Sequence, residues 1–257
     1  MRLQGGYLGI RTGLLPAGIR SVIERWTLNI EHWIMENGQR PTVNGQPEIE
    51  EYILQHIDAE GDYLNSLYRA THLQLLYPHM VSGHLQGRIL KMLTHMIRPK
   101  RILEIGTYSG YSALCMAEGL PEDGKIYTIE INDEQEEFTR PWFENSPYAD
   151  KIEFIIGDAM QVIPSLGTTF DMAFIDGDKR KYLEFYEMAL THLNPGGYIL
   201  ADNTLWGGHV TDEHVRQSDL QTQGILHFND FVASDERVEK VILPLRDGLT
   251  IIRKKEL

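Results

Sequence analysis

The stretches FIDGDKRKY and LADNTLWGG place Asp176, Lys179, Asp202 and Asn203 directly after two apolar runs. Two carboxylates and an amide are hard oxygen donors, the type Mg²⁺ prefers, and they leave positions open for water or a substrate. A cation held there would bind two adjacent substrate oxygens and favour their deprotonated form. Lys179, three residues past Asp176, lies close enough in sequence to accept the proton. Taken singly, each Asp reads equally well as a helix cap and Lys179 as a solvated lysine.

A second set of residues precedes these. RILEIGTYSGYS, residues 101–112, runs from an apolar stretch into Gly106 and Gly110, glycines that let the backbone approach a ligand before a helix starts. A dinucleotide site would carry the G-x-G-x-x-G pattern, but Tyr108 stands where its middle glycine belongs. The turn therefore disfavours a pyrophosphate. S-adenosylmethionine has a ribose and no phosphates, and its ammonium and sulfonium suit a carboxylate such as Glu104. Glu130, at the end of the next apolar run, can accept both ribose hydroxyls, and Gly157-Asp158-Ala159 after the third run can meet an adenine. A purely structural strand-to-helix turn is the competing reading.

These residues share one edge only if the runs before them are parallel strands, because ligands in open parallel sheets sit beyond the carboxyl ends of the strands. RILEIG, KIYTIEI, KIEFIIG, DMAFIDG and GGYILADN alternate with helical segments, the pattern of a parallel sheet with crossover helices. VEKVILPLRDGLTIIRKK reads instead as an antiparallel hairpin at the sheet edge. Between Ile49 and Ile97 the pattern is helical, with Ile49, Tyr52, Ile53, His56 and Ile57 on one stripe and Leu85, Ile89, Met92, Leu93, Met96 and Ile97 on another. The 257 residues fit one α/β domain with additions, divided as an extension over 1–47 and a main domain over 48–257.

The extension carries a net charge of +2 and the remainder −15, within a total of −13. Ile19, Val22, Ile23, Trp26, Ile30, Trp33 and Ile34 in it are spaced as an amphipathic helix that packs on the body or a second subunit; a membrane-surface helix, or a true start at Met35, are the alternatives. Acidity speaks against a general polyanion binder. The single Cys115 excludes an internal disulfide and reads as a buried helix residue. No apolar run suits a membrane span or a secretory leader, so the expected location is the cytoplasm. The His79/His84 and His209/His214 pairs lack metal-site spacing and read as loop or surface residues.

Together ILEIGTYSGYS, GDA, FIDGDKRKY and ADNTLWGG resemble the cation-dependent O-methyltransferases, the group of the caffeoyl-CoA and catechol O-methyltransferases. The resemblance spans about residues 49–257, including MVSGHLQG and LPLRDGLTIIRK. It implies a Rossmann-like methyltransferase fold with a seven-stranded, mostly parallel sheet, an antiparallel edge strand and helices on both faces. It implies Asp176, Asp202 and Asn203 as ligands of Mg²⁺, Mn²⁺ or Ca²⁺, and Lys179 as the base. Glu104, Gly106, Tyr108 and Ser112 would surround the methionine part of S-adenosylmethionine, Glu130 the ribose and Ala159 the adenine. Ser82 and Asp178 match positions near cofactor and metal, and Trp206 falls in the loop that touches acceptors. The implied reaction is methylation of a small aromatic vicinal diol by a homodimeric enzyme. Two further readings are methylation of 5-hydroxyuridine at a tRNA wobble position, and a non-catalytic S-adenosylmethionine-binding or interaction protein. Gly177 and Lys181 depart from the plant-type D-A-D-K-x-N-Y pattern, so local acceptor contacts are expected to differ from that branch.

Overall fold

The computed structural model describes residues 47–256, and the stripe expected over 19–34 lies outside them. Three helices come first: α1 (Pro47–Gln55), α2 (Gly61–Gln74) and α3 (Gly83–Ile97). Strands and helices then alternate as β1 (Arg101–Ile105), α4 (Tyr111–Gly119), β2 (Lys125–Glu130), α5 (Glu136–Glu144), β3 (Ile152–Ile156), α6 (Ala159–Ser165), β4 (Phe170–Ile175), α7 (Tyr182–His192) and β5 (Leu193–Asp202). After α8 (Glu213–Ser218) and α9 (Leu220–Ser234), the hairpin β6 (Val238–Leu243) and β7 (Leu249–Lys254) closes the chain.

The seven strands form one sheet in the order β3-β2-β1-β4-β5-β7-β6. The first five pair in parallel, and β7 runs antiparallel to both β5 and β6. The reversed strand thus belongs to the edge hairpin and sits between β5 and β6. Strand order reverses between β1 and β4, the place where an open α/β sheet leaves a crevice beyond its carboxyl ends.

Alternating strand residues supply two cores, because successive side chains point to opposite faces. Leu103, Ile105, Ala173, Ile175, Ile199 and Ala201 pack beneath α6, α7 and α9. Ile102, Met172, Phe174 and Leu200 pack beneath α3 and α4 with Leu90 and Met116. Each Leu, Ile, Met or Phe among them, fully withdrawn from water, contributes about 1.5–3 kcal/mol. Glu104, two residues from Ile102, consequently faces the second core.

The stripe expected on α3 is displaced. Met92 and Met96 are exposed, whereas Gln86, Gly87, Arg88, Leu90 and Thr94 are buried. Close approach to α4 decides this: a Cβ at Gly87 would lie 2.7 Å from Cys115 Sγ. Small and polar residues therefore occupy the crossing, while Ile89, Leu93 and Ile97 of the expected stripe pack partly buried against the second core. Cys115 is buried there as expected. His79, His209 and His214 are exposed, and His84 is half-buried against the Asp58 carbonyl. No helix of the described residues is long and apolar enough to cross a membrane.

Candidate active site

The crevice begins at the turn after β1. Gly106 adopts φ +97, and a Cβ there would fall 2.3 Å from the Asp176 carbonyl oxygen, so the β1 and β4 strand ends touch at this residue. The parallel ladder runs on past the strands, with Asp176 N donating to Ile105 O at 2.9 Å and Gly157 N to Glu130 O at 2.8 Å. These bonds bring the ends of four strands to one level.

On the cofactor-type side, Glu104 is fully buried. It accepts from Ser112 Oγ at 2.6 Å and from Thr128 Oγ1 at 2.5 Å, and Thr128 stands opposite it on β2. Burial pushes its pKa up to about 8 against these two hydroxyls, with the charges of Asp176 and Glu130 adding to the rise. Glu130 accepts from the backbone of Tyr108 at 2.8 Å and of Asn132 at 2.9 Å, which pins the strained Tyr108 turn. Ala159 is buried at the first position of α6, where Asp158 caps the helix by accepting from Met160 N.

Because the folded pKa of Glu104 lies above its ordinary value of 4.5, its contribution to stability is complete below that value and is lost as pH rises toward 8. Glu104→Gln removes this titration. In thermal melts of the ligand-free protein, the Tm of the variant should gain steadily on the parent between pH 5 and 8. A difference that stays constant with pH would show that Glu104 is already ionised in the empty site.

On the other side, Lys179 Nζ donates to Asp176 Oδ1 at 2.7 Å and to Tyr182 Oη at 2.7 Å. Tyr182 Oη donates to the Asp202 carbonyl at 2.9 Å, so one phenol joins the two strand ends. Its ring is held edge-to-face against Phe228 at 5.6 Å, a contact worth about 0.5–1.5 kcal/mol beyond burial. Burial raises the pKa of Asp176; Lys179 opposes the rise and the Asp202 charge adds to it. Lys179 is buried, not solvated, and the Trp206 ring lies 5.9 Å from its ammonium.

Asp202 caps no helix. It accepts from Gln86 Nε2 at 2.6 Å and from its neighbour Asn203 N at 2.9 Å. Tyr108, Asn203, Trp206 and Arg246 are four of the five non-glycine residues with positive φ among those described. Such conformations cost about 1–3 kcal/mol each and concentrate where a site over-determines the backbone. Asp178, by contrast, caps the turn at Arg180 and is gripped by the Arg180 guanidinium at 2.9 Å and 3.0 Å, away from this cluster of bonds. Ser82 joins the site through its carbonyl, which accepts from Arg246.

Among the described residues no group of three or more His, Cys, Asp or Glu could hold a metal. A cation here would rest on the Asp176 and Asp202 carboxylates, the Asn203 amide and oxygens from water or substrate. Thr128, Tyr182, Gln86 and Arg246 are absent from the sequence reading of the site. Tyr182 was visible only as a tyrosine one turn after Lys179, and Gln86 and Arg246 lie in MVSGHLQG and LPLRDGL, far apart in the chain.

The profile of the O-methyltransferase family matches residues 55–255. Among curated relatives, Tricin synthase 2 of Oryza sativa subsp. japonica is 32% identical over 98% of this chain and 90% of its own length. Caffeoyl-CoA O-methyltransferase 2 of Zea mays is 39% identical over 66% of this chain and 68% of its own. Among solved structures, the O-methyltransferase TomG of Streptomyces achromogenes, in complex with S-adenosylmethionine, superposes with a TM-score of 0.74 at 28% identity, covering 81% of this chain and 96% of its own. The O-methyltransferase of Bacillus cereus, in complex with S-adenosylhomocysteine, gives 0.76 at 26% identity, covering 83% and 100%.

Proposed function

This chain belongs to the O-methyltransferase family, and we propose that it methylates one hydroxyl of a small aromatic vicinal diol, of the catechol or hydroxycinnamoyl type, with the help of a divalent cation. The observation that carries the reading is the hydrogen-bonded path Asp176–Lys179–Tyr182–Asp202, set beside the Glu104 and Glu130 turn at the sheet's reversal point.

S-adenosylmethionine, when bound, supplies a methyl group activated on a sulfonium. Glu104 and Ser112 face its methionine part, Tyr108 and Gly106 shape the turn, Glu130 receives the ribose hydroxyls, and Ala159 and Ser82 border the ligand. A cation beside Glu104 favours its ionised form, which burial alone opposes. Asp176, Asp202 and Asn203 fit a hard divalent cation by donor type, Mg²⁺ first, and it would supply two-point binding of the diol and acidification of its hydroxyl. Lys179 Nζ, as the neutral amine, would take the hydroxyl proton, and the residues around it would hold the freed oxygen toward the methyl group that the sulfonium supplies. Trp206 borders the acceptor. Much of the acceleration comes from holding oxygen and methyl in line. The family resemblance also favours a homodimer.

The test is transfer of labelled methyl from S-adenosylmethionine to a 3,4-dihydroxyphenyl acceptor, with Mg²⁺ and with excess chelator. Transfer should vanish with chelator and fall at least about 10²-fold in Asp202→Ala. Full metal-dependent activity in Asp202→Ala would refute the ligand assignment. No transfer in either tube, with S-adenosylmethionine still binding, would shift the acceptor to hydroxylated uridine in tRNA, and failure there would leave a non-catalytic binding protein.

A further inference from the structure

We infer that Gln86 and Arg246 form a positioning relay that aims the Asp202 carboxylate, with the guanidinium orienting the amide and the amide orienting the acid. The inference rests on the reading of Asp202 as a cation ligand.

Gln86 is buried on α3 and its amide lies between two fixed partners. Arg246 Nη1 donates to Gln86 Oε1 at 2.8 Å, and Gln86 Nε2 donates to Asp202 Oδ2 at 2.6 Å. An arginine can only donate, so the amide oxygen must face Arg246 and the amide NH₂ must face Asp202. The same arginine binds the carbonyls of Ser82 and Val81, which locks it to the start of α3. It stands at φ +49 in the β6–β7 turn, whose Asp247 carbonyl accepts from Leu205 N at 2.7 Å and Trp206 N at 3.2 Å. The turn therefore touches the loop after β5 on one side and the lead-in to α3 on the other.

The consequence concerns direction. Asn203 N occupies Asp202 Oδ1 and Gln86 occupies Oδ2, so both carboxylate oxygens are held and the plane of the group is set. Each oxygen keeps a second lone pair for a cation. Groups that orient a ligand in this way are typically worth about 10–100-fold in metal affinity. Gln86 donates to none of Glu104, Glu130 or Ser82, so its loss should spare the nucleoside and methionine contacts.

The 257-residue chain is titrated with Mn²⁺ by electron paramagnetic resonance and, separately, with S-adenosylmethionine by calorimetry. Gln86→Leu is expected to weaken Mn²⁺ about 10–100-fold while S-adenosylmethionine affinity stays within about twofold. Gln86→Glu, nearly equal in size, turns an acceptor toward Asp202 and should lose as much. The double variant Gln86→Leu/Arg246→Met should be little weaker than either single one, because relay members do not add. Parental Mn²⁺ affinity in folded Gln86→Leu and Gln86→Glu would overturn the relay, as would equal losses for both ligands. If Asp202→Ala binds Mn²⁺ as the parent does, the cation reading falls and the relay with it; if Asp202→Ala alone loses Mn²⁺, only the relay falls.

Discussion

Lys179→Met should lower kcat by about 10²–10⁴-fold, the usual share of a positioned general base, while S-adenosylmethionine affinity stays near the parental value. Methionine matches the lysine stem in length, so packing beneath Trp206 persists and the terminal amine is what disappears. The loss has two parts. The hydroxyl proton has no acceptor, and Asp176 loses the hydrogen bond that opposes the repulsion from Asp202. Single-turnover rates across pH separate them, because a missing base leaves a rate that rises with the acceptor's own ionisation. A drop of less than about tenfold would assign Lys179 to holding Asp176 and Tyr182 rather than to proton transfer.

Gly106→Ala should be among the most damaging small substitutions at the described residues. The added Cβ would meet Asp176 O at 2.3 Å and Asp176 C at 2.7 Å, backbone atoms that cannot swing away, on a residue at φ +97. Both strain and collision act together, and a loss of about 3–5 kcal/mol belongs to the severe class of point mutations. For a domain of this size that corresponds to a Tm lower by about 10 °C. Unfolding in urea and a calorimetric scan check it, together with S-adenosylmethionine binding, which should fall because the turn must move away from β4. A variant melting within about 2 °C of the parent would show that the β1 and β4 ends can separate freely.

Local pattern was enough for the architecture. Short β-branched runs alternating with helices read directly as a parallel sheet, and TIIRK after a turn read as its reversed partner, because side-chain period and turn chemistry are properties of neighbouring residues. The strand-end residues Glu104, Glu130, Asp176 and Asp202 were legible for the same reason: topology sends the end of every parallel strand to one edge. The burial of Lys179 and the pairing of Ser112 with Glu104 were not in the pattern. Nor was the orientation of α3, where a close helix crossing at Gly87 outweighed the methionine stripe.

What the sequence by itself determined, then, is the order of elements, the edge of the sheet where the strand ends meet, and the residue types present there. Only the tertiary structure decided which oxygens are already engaged and by whom. Gln86, Asp202 and Arg246 are separated by 116 and 160 positions in their two hydrogen bonds, and Tyr182 reaches Asp202 across 20. No local periodicity encodes such contacts. They arise when two helices and a hairpin turn close over the same strand ends, leaving buried polar groups that must find partners wherever the fold has put them.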